Sequence, residues 1–102
     1  MSIELNSLNF EKEVVAHQGN VLVDFYTQTC SPCRMMAPIL EEIAKEVTDL
    51  KVAKVDAAED GQLAARFRVS AVPTFVLFKN GQASKQFVGM KSKKDLLTWI
   101  NS

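Results

Sequence analysis

The fold of this 102-residue chain is decided by the stretch Val21-Leu22-Val23-Asp24-Phe25-Tyr26-Thr27-Gln28-Thr29-Cys30-Ser31-Pro32-Cys33-Arg34. Its first half is a nearly continuous apolar run, which is typical of a strand buried on both faces. Apolar residues at helical spacing follow it, namely Met35, Met36, Ile39, Leu40, Ile43 and Val47. The pattern predicts a strand at 21–27, a short turn, and two cysteines at the start of a helix over 31–47.

The two cysteines, which are the only ones in the chain, lie three residues apart. The first turn of a helix leaves backbone N–H groups unpaired and carries partial positive charge, so a thiolate at Cys30 is stabilised there. Cys33 lies one turn further along the same helix face and can reach the Cys30 sulfur. This arrangement predicts a reactive nucleophile with a neighbouring resolving thiol.

Three other interpretations of the cysteine pair stay open at this point. A structural disulfide is one, although a loop so short gains little entropic stabilisation. A zinc site is another, but it usually needs four ligands. Because the chain offers only one histidine, His17, such a site would have to be shared between molecules. Two inert buried thiols are the third, although the turn before a helix is usually exposed.

Length and composition limit the class of protein. The chain is long enough for one domain, 1–102, and its 47% hydrophobic content suits a packed core. A net charge of zero argues against a nucleic-acid or membrane-surface role driven by charge, and so small a neutral surface predicts a monomer. The segment Met1–Asn6 lacks the basic and apolar regions of a signal peptide, so we expect a cytoplasmic location, where thiols are kept reduced.

Asp24 interrupts the first apolar strand. A carboxylate in such a strand is costly unless it is paired or protonated. We interpret it as a buried proton acceptor that serves Cys33 during disulfide exchange; the alternative is an aspartate exposed at a sheet edge. Lys54, in a second parallel strand predicted at 51–56, would reach Asp24 across neighbouring strands and hold it charged. The alternative for Lys54 is a lysine in water at the strand end.

The remaining pattern predicts an α/β arrangement. Short strands are expected at 2–6 and at 74–79, the latter begun by Pro73, and the Asn80-Gly81 turn pairs 74–79 with 83–88 as a hairpin. Helices are expected around Phe10, Val14 and His17, over 60–68 with Asp60 as cap, and after the capping pair Ser92 and Asp95.

This order of elements resembles the thioredoxin family over essentially the whole chain. The residues that carry the resemblance are Val23-Asp24-Phe25, Cys30-Ser31-Pro32-Cys33, Pro38, Val52-Ala53-Lys54-Val55-Asp56, Val72-Pro73-Thr74, Phe78-Lys79-Asn80-Gly81 and Gly89. The resemblance implies a thioredoxin fold, in which a central five-stranded mixed sheet is flanked by four helices. It also implies a cis bond before Pro73, which would lie against the cysteines.

The resemblance further implies a function as a protein-disulfide reductase. In the family, the counterpart of Cys30 attacks a substrate disulfide and the counterpart of Cys33 resolves the mixed disulfide, so a reversible Cys30–Cys33 disulfide is expected. The counterpart of Asp24 manages the proton of the resolving thiol, with a lysine matching Lys54 nearby. Disulfide-containing client proteins are the implied substrates. A flavin- and NADPH-dependent thioredoxin reductase is the implied electron donor, and no cofactor or metal is expected on this chain.

Substrate contact is also implied for residues on both sides of the predicted site. The positions matching Val72, Pro73 and Gly89 line the substrate groove of the family. The usual family core is Trp-Cys-Gly-Pro-Cys-Lys, whereas this chain has Thr29-Cys30-Ser31-Pro32-Cys33-Arg34. Thr29 removes a flat apolar contact beside the nucleophile, and Ser31, before Pro32, adds a hydroxyl near the sulfurs. Because thiolate stability sets redox poise, a more oxidising, isomerase-like member stays an alternative, as does a non-enzymatic binding module of the same fold.

Overall fold

The computed structural model describes residues 2–102. The strands are β1 (Ile3–Leu5), β2 (Asn20–Tyr26), β3 (Leu50–Asp56), β4 (Thr74–Lys79) and β5 (Gln82–Val88). The α-helices are α1 (Ser31–Glu46), α2 (Gly61–Arg66) and α3 (Lys93–Ile100), and a π-helical segment spans Glu11–Val15. Within residues 2–102, none of these helices is long and apolar enough to cross a membrane. The predicted order of strands and helices is confirmed.

The five strands form one mixed sheet in the order β1-β3-β2-β4-β5. β3 is parallel to both β1 and β2, whereas β4 is antiparallel to β2 and β5. One cross-strand row contains Val55, Phe25, Thr74 and Val88. We call the end of the sheet just beyond this row the cysteine end, because the chain that leaves β2 there leads to Cys30.

Apolar side chains pack on both faces of the sheet, because successive residues of a strand point to opposite faces. One core includes the alternate β2 residues Val21, Val23 and Phe25, together with residues of the π-helical segment and α2. The other core packs Leu22 against α1 and α3. The central strand is therefore buried on both faces, as predicted.

The first helical segment differs from the sequence prediction. The apolar spacing indicated an α-helix, whereas Glu11–Val15 is π-helical. Phe10 and Val14 are nevertheless fully buried. At the entry to the segment, Asn9 Oδ1 accepts the Asn6 N–H at 2.8 Å, and Asn6 Oδ1 accepts the Leu8 N–H at 2.8 Å. So short a segment contains too few apolar positions to distinguish one helical period from another.

The hairpin turn at Asn80-Gly81 supports a direct prediction about stability. Both residues have positive φ, 51° and 84°, and a Cβ added to Gly81 would lie 2.2 Å from the carbonyl oxygen of Val15. We expect Gly81→Ala to lower the free energy of unfolding by about 2–4 kcal/mol, because the side chain adds both backbone strain and a clash. Urea denaturation followed by circular dichroism would measure the loss.

Gly89→Ala is the matched control for this prediction. Gly89 has a φ of 105°, but a Cβ added there meets no atom within 4 Å. Only the conformational strain remains, which costs on the order of 1–2 kcal/mol. Equal losses of unfolding free energy in the two variants would show that the clash with Val15 contributes nothing to the loss in Gly81→Ala.

Candidate active site

Cys30 and Cys33 form a disulfide at the start of α1, with their Cα atoms 5.2 Å apart. Cys30 is the N-cap residue, and its Sγ accepts a hydrogen bond from the Cys33 N–H at 3.1 Å. A donor aimed at the sulfur stabilises a thiolate, as does the positive end of the helix. Cys33 is only 4% exposed, whereas Cys30 is half-buried. The accessible sulfur is thus the one that the helix terminus stabilises.

The pairing excludes one of the alternatives, that of two inert thiols, since neither cysteine is free. Among residues 2–102, no group of three or more histidine, cysteine, aspartate or glutamate side chains lies close enough to hold a metal ion. The structure therefore presents the pair as a disulfide that closes the first turn of α1.

Val72, Pro73 and Gly89 come together at the cysteine end of the sheet. The Val72–Pro73 peptide bond is cis, as the family resemblance implied. The Gly89 N–H donates to the Pro73 carbonyl oxygen at 2.9 Å, which joins the segment before β4 to the segment after β5. Since β4 is paired directly with β2, this junction lies beside the strand that leads to the disulfide. Val72 and Gly89 are half-buried whereas Pro73 is buried, so Val72 and Gly89 form the accessible part of this junction.

The exposed side chains close to the disulfide in sequence include both polar and apolar residues. Thr29, Ser31, Pro32 and Arg34 are all exposed. Three of the four large apolar side chains that are exposed within residues 2–102 are close in sequence to the site, namely Met35, Val88 and Met90. The sequence analysis placed Met35 among the apolar residues that define the helix, whereas it is exposed, and it did not consider Val88 or Met90. The available signal was their position in the sequence, since Met35 follows Cys33 by two residues and Val88 and Met90 flank Gly89. The sequence does not show, however, whether an apolar side chain is exposed.

Asp24 lies beneath the cysteines in a cleft of about 250 Å³ that Cys33 also lines. The other lining residues of this Asp24 cleft are Tyr26, Thr27, Gln28, Arg34, Ala37 and Lys54. Asp24 is only 3% exposed, and its Oδ1 has no hydrogen-bond partner. Burial raises the pKa of Asp24 to about 7, against the opposing attraction of Lys54 and with the repulsion of Glu4. The alternative of an edge-exposed aspartate is therefore wrong, and the carboxyl gains and loses its proton near neutral pH.

Lys54 is the direct cross-strand neighbour of Asp24. The two residues nevertheless form no ion pair, and the Lys54 ammonium nitrogen lies 5.5 Å from the centroid of the Tyr26 ring. The expectation that Lys54 holds Asp24 charged is wrong, because burial shifts the pKa of Asp24 more than Lys54 does. A long aliphatic stem lets the ammonium remain closer to solvent than the short Asp24 side chain can.

The sequence analysis missed the contact of Glu4 with Tyr26. The Tyr26 hydroxyl donates to Glu4 Oε2 at 2.8 Å. Burial, followed by the hydrogen bond and negative charge of Glu4, raises the pKa of Tyr26 well above its ordinary range. Alternation with Ile3 and Leu5 places Glu4 on the opposite face of β1. That was the available signal, but the register with β3 was needed to bring Glu4 to this site.

Comparison with known proteins agrees with this arrangement. The thioredoxin family model matches residues 1–102. A thioredoxin of Rickettsia bellii is 39% identical over 103 residues, covering 100% of this chain and 98% of the relative. A thioredoxin of Mycobacterium tuberculosis is 45% identical over 97 residues, covering 94% of this chain and 84% of the relative. A bifunctional thioredoxin reductase/thioredoxin of Mycobacterium leprae is 43% identical over 98 residues, which cover 95% of this chain and 21% of that protein.

Proposed function

Since this chain belongs to the thioredoxin family, we propose that it reduces protein disulfides with Cys30 as nucleophile and Cys33 as resolving thiol. The chain is a thiol–disulfide oxidoreductase of the protein-disulfide reductase type. The observation that carries the assignment of roles is the difference between the two sulfurs. Cys30 is the more accessible and accepts the Cys33 N–H, whereas Cys33 is almost fully buried.

The reaction begins with the reduced pair. The Cys30 thiolate attacks one sulfur of the client disulfide, the client S–S bond breaks, and the other client sulfur leaves as a thiolate that takes up a proton. The client is now joined to Cys30 by a mixed disulfide. Cys33 then loses its proton and attacks the Cys30 sulfur, which releases the second client thiolate. Two electrons pass from the cysteine pair to the client, and the Cys30–Cys33 disulfide forms.

Asp24 is the proposed acceptor of the Cys33 proton. Its side chain shares a cleft with Cys33, and its unpaired Oδ1 is free to accept a hydrogen bond. A general base works best when its pKa lies near the operating pH. The pKa of about 7 that burial produces at Asp24 meets this condition. Lys54 adjusts that pKa from the neighbouring strand without forming an ion pair.

Client binding is proposed for the surface around the disulfide. Val72, Pro73 and Gly89 would contact the client chain, supported by the hydrogen bond that joins Pro73 to Gly89. The exposed residues Thr29, Ser31 and Pro32 would contact the client beside the reacting sulfur.

The proposal includes the partners and location of the protein. Re-reduction by a thioredoxin reductase that uses flavin and NADPH is part of the proposal. The Mycobacterium leprae relative, whose name joins thioredoxin reductase and thioredoxin, supports the reductase as partner. We propose that neither cofactor binds this chain and that its clients are disulfide-containing proteins. A monomer in the cytoplasm completes the proposal. The net charge of zero supports the further proposal that no nucleic acid or membrane surface is bound through charge.

The redox midpoint of the Cys30–Cys33 pair tests the direction of the reaction. We expect a two-electron transition below about −230 mV, on the reducing side of the range that glutaredoxins span. The measurement is the oxidised fraction after equilibration in graded dithiol/disulfide buffers, and the double variant Cys30→Ser/Cys33→Ser is the control that should show no transition. A midpoint near about −180 mV or above would overturn the reductase assignment in favour of an isomerase. The absence of any transition would leave only a non-enzymatic binding module.

A further inference from the structure

Three charged residues form one row across the sheet on the side where α1 packs. Glu4 of β1 is the register partner of Lys54 of β3, which in turn is the partner of Asp24 of β2. Register partners in a parallel sheet project to the same face, and adjacent strands lie about 4.8 Å apart. Lys54 therefore has a carboxylate on each side, one buried and one exposed.

A bridge between β1 and β2 crosses over Lys54. Tyr26 follows Asp24 by two residues and so points to the same face. Its hydroxyl donates to Glu4 Oε2 at 2.8 Å although β3 lies between the two strands. The Lys54 ammonium lies 5.5 Å from the centroid of the Tyr26 ring that forms this bridge. The Tyr26 ring that the Lys54 ammonium faces is thus tied to Glu4 by a hydrogen bond.

The two carboxylates on either side of Lys54 differ in their exposure to solvent. A close pair with Asp24 would require the ammonium to lose most of its hydration, and the attraction seldom repays that cost in a buried site. Lys54 forms no close ion pair with Glu4 either, but the face of the Tyr26 ring, which Glu4 holds through the tyrosine hydroxyl, attracts the ammonium while it remains partly hydrated. The unpaired Asp24 Oδ1 is the consequence observed in the structure.

We propose that Glu4 is a positioning residue that keeps the Lys54 ammonium away from Asp24 and so sets the pH at which Asp24 exchanges its proton. The inference rests on the proposed function of Asp24 as the proton acceptor for Cys33. Glu4 itself touches neither the cysteines nor the client. It acts through Lys54, and also directly through its negative charge.

The charged and titratable groups around this row come from every element packed against it. Lys54 faces Asp24 from β3, where the buried Asp56 points to the same face beside Tyr26, and Glu4 adds its charge from β1. Glu41 of α1 lies within electrostatic reach of Lys54. On the remaining side, β4 contributes the uncharged Phe75 as the register partner of Asp24. The groups of α1 that share the Asp24 cleft are Cys33 and Arg34.

The direct test is Glu4→Gln, with the Asp24 carboxyl followed by carbon NMR over a pH series in the oxidised full chain. Loss of the Glu4 charge removes a repulsion from Asp24 and frees Lys54 to approach it, and both changes favour the carboxylate. We expect the Asp24 titration midpoint to fall by more than about 0.6 pH unit, because loss of the direct repulsion between two unit charges two strand spacings apart in a medium of high dielectric constant contributes about 0.3 and the approach of Lys54 at least as much again. Asp49→Asn, which removes an equal charge from an exposed position just before β3, at the other end of that strand from Asp56, is the control and should leave the midpoint unchanged.

A second pair of variants separates positioning from direct repulsion. In a Lys54→Met background, Glu4→Gln has no ammonium to release, so its shift should be less than half of the shift in the wild-type chain. Equal shifts in the two backgrounds, or no shift with Glu4→Gln alone, would overturn the positioning role. Failure of the proposed function would look different. In that case Asp24→Asn would leave the rate of mixed-disulfide resolution unchanged, while the titration would still report whether Glu4 acts on Asp24.

Discussion

Cys30→Ser is expected to lose disulfide reduction by at least about 10³-fold, whereas Cys33→Ser keeps the first attack and accumulates mixed disulfides with its clients. The difference follows from the positions of the two sulfurs. Cys30 is half-buried and accepts a hydrogen bond from the first turn of α1, so we expect it to form the covalent bond with the client. Cys33 is 4% exposed and can attack only the sulfur of Cys30.

Two measurements check this prediction. The rate of reduction of a soluble disulfide protein, with dithiothreitol as electron donor, measures the loss of turnover. Denaturing gels without reductant, run after incubation with a cell extract, measure trapped clients. The double variant Cys30→Ser/Cys33→Ser controls for non-covalent binding. If Cys30→Ser traps as many clients as Cys33→Ser, the assignment of nucleophile and resolving thiol is wrong.

Asp24→Asn is expected to stabilise the folded protein at alkaline pH by about 4 kcal/mol more than it does at acidic pH. Burial raises the pKa of Asp24 from 3.8 to about 7. Between these values the folded chain holds a proton that the unfolded chain has lost, so the stability of the wild-type protein falls as pH rises through this window. Above about pH 7 both states are ionised and the loss is complete. Asparagine stays neutral throughout and therefore removes this component of the pH dependence.

Urea denaturation of the oxidised protein at about pH 4, 6 and 8 would measure the effect. The quantity of interest is the change with pH in the difference between variant and wild type, since any constant cost of the amide cancels. Asp49→Asn, at an exposed position, is the control for a general change of net charge. A difference between Asp24→Asn and wild type that is the same at all three pH values would contradict a buried, protonated carboxyl.

Sequence by itself determined the features that depend on residues a few positions apart. The cysteine pair predicted that Cys30 would lie at the start of a helix with Cys33 in reach of its sulfur, and the structure has Cys30 as the N-cap residue, joined to Cys33. Asp60 and Ser92 cap α2 and α3 through hydrogen bonds to residues three positions on. Asn80-Gly81 forms the predicted hairpin turn. In each case the interaction is local, so the identity and spacing of a few residues suffice to predict it.

Tertiary structure alone decided the state of the groups around Asp24. The burial of Asp24 was readable from its apolar neighbours, but its unpaired Oδ1 and the failure of Lys54 to hold it charged were not. Nor did any local pattern bring Tyr26 to Glu4 across an intervening strand. These outcomes depend on strand register and on the balance between desolvation and attraction in a partly buried cleft. Both are set by residues far apart in the chain, and the balance is a small difference between large opposing energies.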